Sequence, residues 1–207
     1  ELLVSLSGVK RPHFLFISAA SGDDPDYIKA IVGEFKKLGC TTDELTIVRF
    51  EHFISKEYIK DKILNTDIIL IGDGDLTKLL KIIHHFALDK MLAEQIAGDK
   101  VLAGIGAGAK VLFTEAVTGK YHSPEDDSVK FNLEKGMGFI QGIAYSDDNP
   151  TDSKLFTDWF KGKVSLKNVP AFVFSSNSAL LMEDGSLHAA PPGAKHTVKL
   201  LGVKNNK

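Results

Sequence analysis

The sequence predicts an α/β protein built on a mostly parallel central sheet, and three observations carry that expectation. Short apolar runs without polar alternation occur at Phe14-Leu-Phe-Ile17, Asp67-Ile-Ile-Leu-Ile71 and Val101-Leu-Ala-Gly104, as expected of strands covered on both faces. Segments of helical periodicity separate them, which implies right-handed crossovers and parallel pairing. Two of the runs end in glycine-rich junctions, Gly72-Asp-Gly-Asp75 and Gly104-Ile-Gly106-Ala-Gly108. In open parallel sheets the carboxyl ends of the strands are where ligands bind.

Taken in order, Leu2–Leu6 is a short apolar run ended by Ser7-Gly8 and reads as a strand. Pro12–Ile17 is a second. Asp23-Asp24-Pro25-Asp26 then opens a helix, with acidic residues and proline in its first turn. Its apolar stripe is Tyr27, Ile31 and Phe35 with Ile28, Val32 and Leu38, and Gly39 stops it. A strand over Glu44–Phe50 and a short helix near Lys56–Leu64 lead to the buried run at Asp67–Ile71. Helices follow over Leu76–Leu88 and Lys90–Ile96, then the strand at Val101, whose glycine cluster turns into a helix expected to end near Gly119. Lys120–Lys135 is polar and reads as an exposed loop, and Ser146-Asp-Asp-Asn-Pro150 as another. Lys154–Phe160 is amphipathic. The tail is β-rich: strands are expected at Pro170–Phe174, Ser178–Glu183 and Thr197–Val203, with a hairpin turn of the Asp-Gly type at Glu183-Asp-Gly-Ser186. No repeat or linker breaks the chain, so residues 1–207 read as a single domain with a β-rich C-terminal edge.

The bulk numbers exclude several classes. A length of 207 residues with 43% hydrophobic and 25% charged residues is ordinary for a soluble globular domain. A net charge of −2 gives no reason to expect nucleic acid or an anionic membrane as partner. A single cysteine, Cys40, rules out an internal disulfide and a Cys-based zinc cluster, which suits a cytoplasmic location. No apolar run is long enough to span a bilayer, and Glu1-Leu-Leu-Val has none of the marks of a signal peptide. Neither a metal nor another cofactor is expected.

The glycine junction at 104–108 has the frame of a nucleophile elbow, Gly-x-Ser-x-Gly, in which a sharp strand-to-helix turn holds a hydroxyl above the sheet. Glycine stands at the serine position. The three glycines alone fit a close strand–helix packing site, whereas a dinucleotide fingerprint needs a different spacing. His84-His85 lie adjacent on a helix and do not share a face. His122 with Glu125, Asp126 and Asp127 reads first as a solvated loop, with a replacement His–carboxylate pair or weak metal site as the alternative. Phe156, Trp159 and Phe160 read as core, with a homodimer contact as the alternative.

Three segments in fixed order make the chain resemble peptidase family S51, the aspartyl dipeptidases of the peptidase E type and the cyanophycinases. They are Ile71-Gly-Asp-Gly-Asp75, Gly104-Ile-Gly-Ala-Gly-Ala109 and Gly136-Met-Gly-Phe-Ile-Gln-Gly142. Phe16-Ile-Ser-Ala-Ala-Ser21 and Ala179-Leu-Leu-Met-Glu-Asp-Gly185 are also similar to family segments. The resemblance implies a three-layer α/β/α sandwich of the class I glutamine-amidotransferase-like or flavodoxin-like kind. It implies acyl transfer by a serine activated by a histidine, with backbone amides forming the oxyanion hole. Carried over by position, the serine falls on Gly106 and the histidine on Asp147; the oxyanion donors are the amides of Gly74 and Ala107, within a cleft that includes Gly72, Asp73 and Asp75. Neither Gly106 nor Asp147 supplies the family's chemistry, and Asp73 and Asp75 put negative charge where an oxyanion should be stabilised. The resemblance thus implies a member that is catalytically silent toward peptides and retains a crevice for a small peptide or amino-acid-like ligand. The alternatives are a hydrolase relocated to His122 and the loop carboxylates around Asp126, and a regulatory or structural binding protein.

Overall fold

A computed structural model describes residues 1–50, 53–96, 100–146, 150–166, 168–175, 178–190 and 198–201. They gather into two compact units, Glu1–Leu112 and Phe113–Lys207. The boundary falls inside the apolar run Val111-Leu-Phe113, where no shift of composition marks it.

The first unit runs α1 (Leu2–Leu6), β1 (His13–Ile17), α2 (Pro25–Lys37), β2 (Thr41–Leu45), α3 (Lys56–Leu64), β3 (Ile68–Ile71), α4 (Leu76–Phe86), α5 (Leu88–Ile96), β4 (Val101–Gly104) and α6 (Ala107–Lys110). Its four strands form one sheet of order β2-β1-β3-β4, and every pairing is parallel. The apolar runs of β1 and β3 behave as their composition demands, whereas Val101–Gly104 of β4 is only half-buried. Phe14 to Ile17 and Ile68 to Ile71 are all buried, so both faces of the central strands are covered. On one face Phe14, Phe16, Ile68 and Leu70 pack with Val32 and Cys40, and with Ile28, Ile31 and Phe35 of the α2 stripe. Phe14 stacks on Phe35 with ring centroids 3.6 Å apart. Cys40 belongs to this core, and burial pushes its thiol pKa up. That is the setting of an inert packing residue.

At three places the structure differs from what the sequence predicts. Leu2–Leu6 is helical, not extended, and Leu3 and Val4 pack against the α2 side of the core. A run of five apolar or small residues carries no period by which to tell the two apart. β2 occupies Thr41–Leu45, earlier than expected; beyond it, the Arg49 amide donates to Asp23 Oδ2 at 2.9 Å and takes the chain out of the sheet. The helix after the glycine cluster is only four residues long, and the chain passes directly into a strand.

That strand, β5 (Phe113–His122), opens the second unit, followed by β6 (Val129–Lys135), β7 (Ile140–Ser146), α7 (Pro150–Gly162), β8 (Ala171–Phe174), β9 (Ala179–Glu183), β10 (Ser186–Ala190) and β11 (Lys199–Leu201). Much of the expected exposed loop at 120–135 is therefore paired: β5 and β6 form a long antiparallel hairpin with a register shift between Val117 and Gly119. The five-stranded sheet has the order β11-β8-β7-β5-β6. Its β5–β7 and β7–β8 pairs are parallel, and its outer pairs are antiparallel. Phe156 and Phe160 of α7 are buried against Phe131, Tyr145 and Val173, with Trp159 packed beside them, so the aromatic triplet is core. The third glycine segment serves as the approach to β7. Gly142 donates its amide to Thr114 Oγ1 at 2.9 Å, and that hydroxyl donates to the Gly142 carbonyl at 2.8 Å. The β9–β10 hairpin turns at Asp184 and Gly185, both at positive φ, as an Asp-Gly turn requires.

Candidate functional site

Two junctions of the first unit meet at the carboxyl ends of β3 and β4. After Ile71, the chain forms Gly72-Asp73-Gly74-Asp75 before entering α4. Asp75 is the N-cap, its Oδ1 accepting the Lys78 amide at 2.9 Å, so one loop carboxylate serves the helix terminus. Gly74 sits at φ +141°, and a Cβ there would stand 2.3 Å from the Ala20 carbonyl oxygen. The loop is thus laid tightly on the segment that follows β1, and the Asp75 amide donates to that same carbonyl at 2.9 Å.

The second junction leaves β4. Gly104 and Gly108 approach each other and the end of β3 so closely that a Cβ on either would meet backbone within 2.2 Å. Between them Gly106 adopts φ +53°, ψ −113° as the N-cap of α6. This is the first central position of a turn that L-residues with side chains rarely occupy. The close-packing reading of the glycines and the tight-turn reading therefore hold together.

The two junctions are tied by one side chain. Asp73 Oδ1 accepts the Gly74 amide at 2.7 Å and the Ala107 amide at 2.7 Å. The carboxylate also fills the space beside Gly106: a Cβ on that residue would lie 1.9 Å from Oδ1, 2.1 Å from Cγ and 2.4 Å from Oδ2. From the other side, the Asp73 amide donates to the Tyr27 hydroxyl at 3.2 Å, and Tyr27 is held edge-on against Phe16.

Of the residues singled out from the sequence, Gly72, Asp73, Gly74, Asp75, Gly106 and Ala107 are brought together here. Asp147 lies outside the described residues. His122 and Asp126 belong to the far end of the β5–β6 hairpin, in the second unit. There His122 is exposed, with Nδ1 3.5 Å from Asp127 Oδ1. Asp126 accepts the Ser128 hydroxyl at 2.7 Å and the Ser128 amide at 3.1 Å. Those bonds hold its carboxyl at about 2, below the ordinary 3.8. Lys130 donates to Ser123 Oγ at 2.7 Å and lies 3.7 Å from Asp126. Among the described residues, no group of three His, Cys, Asp or Glu side chains is placed to hold a metal ion, and no helix is long and apolar enough to cross a membrane.

Two supports escaped the sequence reading. Periodicity puts Tyr27 only on the apolar stripe of α2, yet its hydroxyl holds the Asp73 loop. The sequence groups Asp23 with Asp24 at the helix start, but only Asp24 caps α2, accepting the Tyr27 amide at 2.8 Å. Asp23 is fully buried at φ +59°. It accepts the Ser18 hydroxyl at 2.8 Å through Oδ1 and the Arg49 amide at 2.9 Å through Oδ2. The available signal was the unusual doubling of aspartate before a proline, since one cap needs one carboxylate.

Comparison with solved structures places the architecture among peptidase E-like α/β proteins. A putative peptidase E from Listeria monocytogenes EGD-e superposes with a TM-score of 0.65 at 18% identity, covering 91% of this chain and 90% of that one. A peptidase from an acI-B1 Actinobacterium gives 0.62 at 18% identity, covering 91% and 80%. At sequence level, an uncharacterized peptidase of Bacillus subtilis, YgaJ, is 28% identical over 142 residues. That match takes in 69% of this chain and 57% of the relative, so the chain spans little more than half the length of that curated relative. The model of peptidase family S51 matches residues 1–189, and the chain belongs to that family.

Proposed function

We propose that this S51-family member does not carry out serine acyl transfer, and that the junction at the ends of β3 and β4 acts in binding a small molecule or peptide. The observation that carries this reading is the seat of Asp73. Acyl transfer needs a nucleophile and an empty pair of donors waiting for the oxyanion. At the position the family resemblance assigns to the nucleophile stands Gly106, which has no side chain to attack. The amides assigned to the oxyanion, those of Gly74 and Ala107, already share a carboxylate oxygen. A tetrahedral intermediate would have to displace that carboxylate, and any side chain at 106 would collide with it. The backbone at 106 supports the same reading, because a serine there would store about 1–3 kcal/mol of strain that glycine does not.

The test is direct. Purified protein is incubated with Asp-X dipeptides and, separately, with an activated ester under burst-phase conditions. The expected result is hydrolysis at the buffer rate and no stoichiometric acylation. A burst, or turnover well above buffer, overturns the proposal.

A further inference from the structure

β6 lies at one end of the five-stranded sheet and, among the described residues, pairs with β5 alone. In an antiparallel pair the backbone groups of alternate residues turn away from the neighbour, so the outer edge of β6 presents a row of N–H and C=O groups that no strand among the described residues meets. Such an edge is a template for another chain. An edge that must stay single is guarded by charges, lysine above all, because like charges placed opposite one another repel a second strand.

The order of side chains along β6 does the reverse. The strand reads Val129-Lys130-Phe131-Asn132-Leu133-Glu134-Lys135. Turned antiparallel on itself about Asn132, it sets Lys130 opposite Glu134 and Phe131 opposite Leu133, each pair occurring twice. Asn132 then faces its own copy, and an amide that both donates and accepts is matched by itself. Centring the pair on Phe131 or on Leu133 loses the opposite charges: Glu134 then meets Ser128 or Asn132. We propose that the outer edge of β6 is the interface on which two copies of this chain join, antiparallel about Asn132, into one continuous sheet. The symmetric placement of charge is what a second copy requires in an isologous contact, and a foreign strand has no use for it.

The charges concerned are open to a partner. Glu134 is exposed and has no ion pair among the described residues. Lys130 donates to Ser123 Oγ at 2.7 Å and lies 3.7 Å from Asp126, which leaves its ammonium with further donors. The face turned to α7 adds a second support. Val129 and Leu133 pack there beside Phe131, and a hollow of about 400 Å³ opens next to Val129, walled by Leu155, Asp158 and Trp159. Gly162 also lines it, and a Cβ on that residue would meet open space. In the paired arrangement Lys135 of the second copy stands opposite Val129 and on the same face. Its apolar stem covers Leu155 and the indole. Asp158, exposed and without an ion pair among the described residues, supplies the counter-charge.

The test is sedimentation of the chain over roughly 1 to 300 µM, with amide hydrogen exchange measured at both ends of that range. A monomer–dimer equilibrium is expected within it, and exchange at alternate β6 amides should slow as the dimer forms. Glu134→Lys, at an exposed position, sets lysine against Lys130 twice across the contact. Its dimer dissociation constant should rise about tenfold or more. Adding Lys130→Glu to the same chain restores opposite charges in exchanged order and should return the constant to within about threefold of native. A chain that stays monomeric throughout overturns the proposal and leaves the edge to an extended segment of another protein. A dimer equally tight in Glu134→Lys, a folded doubly exchanged chain that does not recover, or β6 exchange that ignores concentration also overturns it, since the contact then lies elsewhere. The exchange measurement uses only the native chain, so it decides even if a variant folds poorly.

Discussion

The Gly72–Asp75 junction and the tip of the β5–β6 hairpin look alike as composition: each is a short polar stretch in which carboxylates are prominent. Physically they are opposites. At the first, Gly74, Gly104 and Gly108 let backbone meet backbone, and Asp73 is held at a fixed place by amides from two different segments. At the second, Asp126, Ser128 and Lys130 bond to neighbours only a few residues away, and His122 stands in solvent. A carboxylate becomes part of a site when the fold, and not its sequence neighbours, decides where it points.

That contrast can be broken most forcefully at Gly74. Alanine there would need a positive φ and would meet the Ala20 carbonyl, which cannot swing aside as a side chain can. A loss of about 3 kcal/mol or more in denaturant unfolding is expected; a loss below about 1 kcal/mol would mean that the two segments are not in contact.

Gly106→Ser comes next, at about 2 kcal/mol, from backbone strain and from the collision with Asp73. Because the obstacle is a side chain, Asp73→Gly in the same chain should return part of that loss. A double-mutant cycle is expected to give a coupling of about 1 kcal/mol or more. Additive effects would show that the carboxylate does not stand beside residue 106.

How much of this was legible in the sequence follows from where the information lies. The parallel sheet was readable because β1 and β3 are continuous apolar runs, which few other environments require. The α2 stripe was readable from its period, and the close approach at 104–108 from its glycines. The β5–β6 hairpin was not, since Thr114, Glu115, Lys120 and Tyr121 alternate too weakly to outweigh the expectation of a long helix after a glycine turn. Asp73 was visible as an unusual residue in its loop, and its charge as a conflict with oxyanion chemistry. Its use as a ligand for both amides was not visible, because that depends on the distance between two segments some thirty residues apart. Tyr27 was hidden for a similar reason: a helical stripe reports which residues face the sheet, and not that one hydroxyl meets the loop after β3.

Smaller effects are expected at the hairpin. Removal of the Ser128 hydroxyl in Ser128→Ala should raise the Asp126 pKa from about 2 toward its ordinary 3.8, as read by carboxyl chemical shifts against pH. The sign is fixed by the direction of the shift. A carboxyl depressed in the folded state contributes stability above its unfolded pKa and loses it as pH falls through the folded value, so the native hairpin loses this contribution between about pH 4 and pH 2. An unchanged titration in Ser128→Ala would sink the assignment. The smallest change belongs to His122→Ala, which should leave the unfolding midpoint at neutral pH where it is, within about 0.5 kcal/mol, as for other exposed substitutions. A large loss would mean that the hairpin tip is organised more like the glycine junction than its contacts indicate.

The central claim, that the Asp73 carboxylate occupies both amides at the turn, is tested most directly by the proton shifts of the Gly74 and Ala107 amides in the native protein and in Asp73→Ala. Charge-assisted hydrogen bonds to one oxygen predict that both resonances lie downfield in the native protein and move upfield together in the variant. Two amide resonances that stay where they are when Asp73 is removed would contradict it.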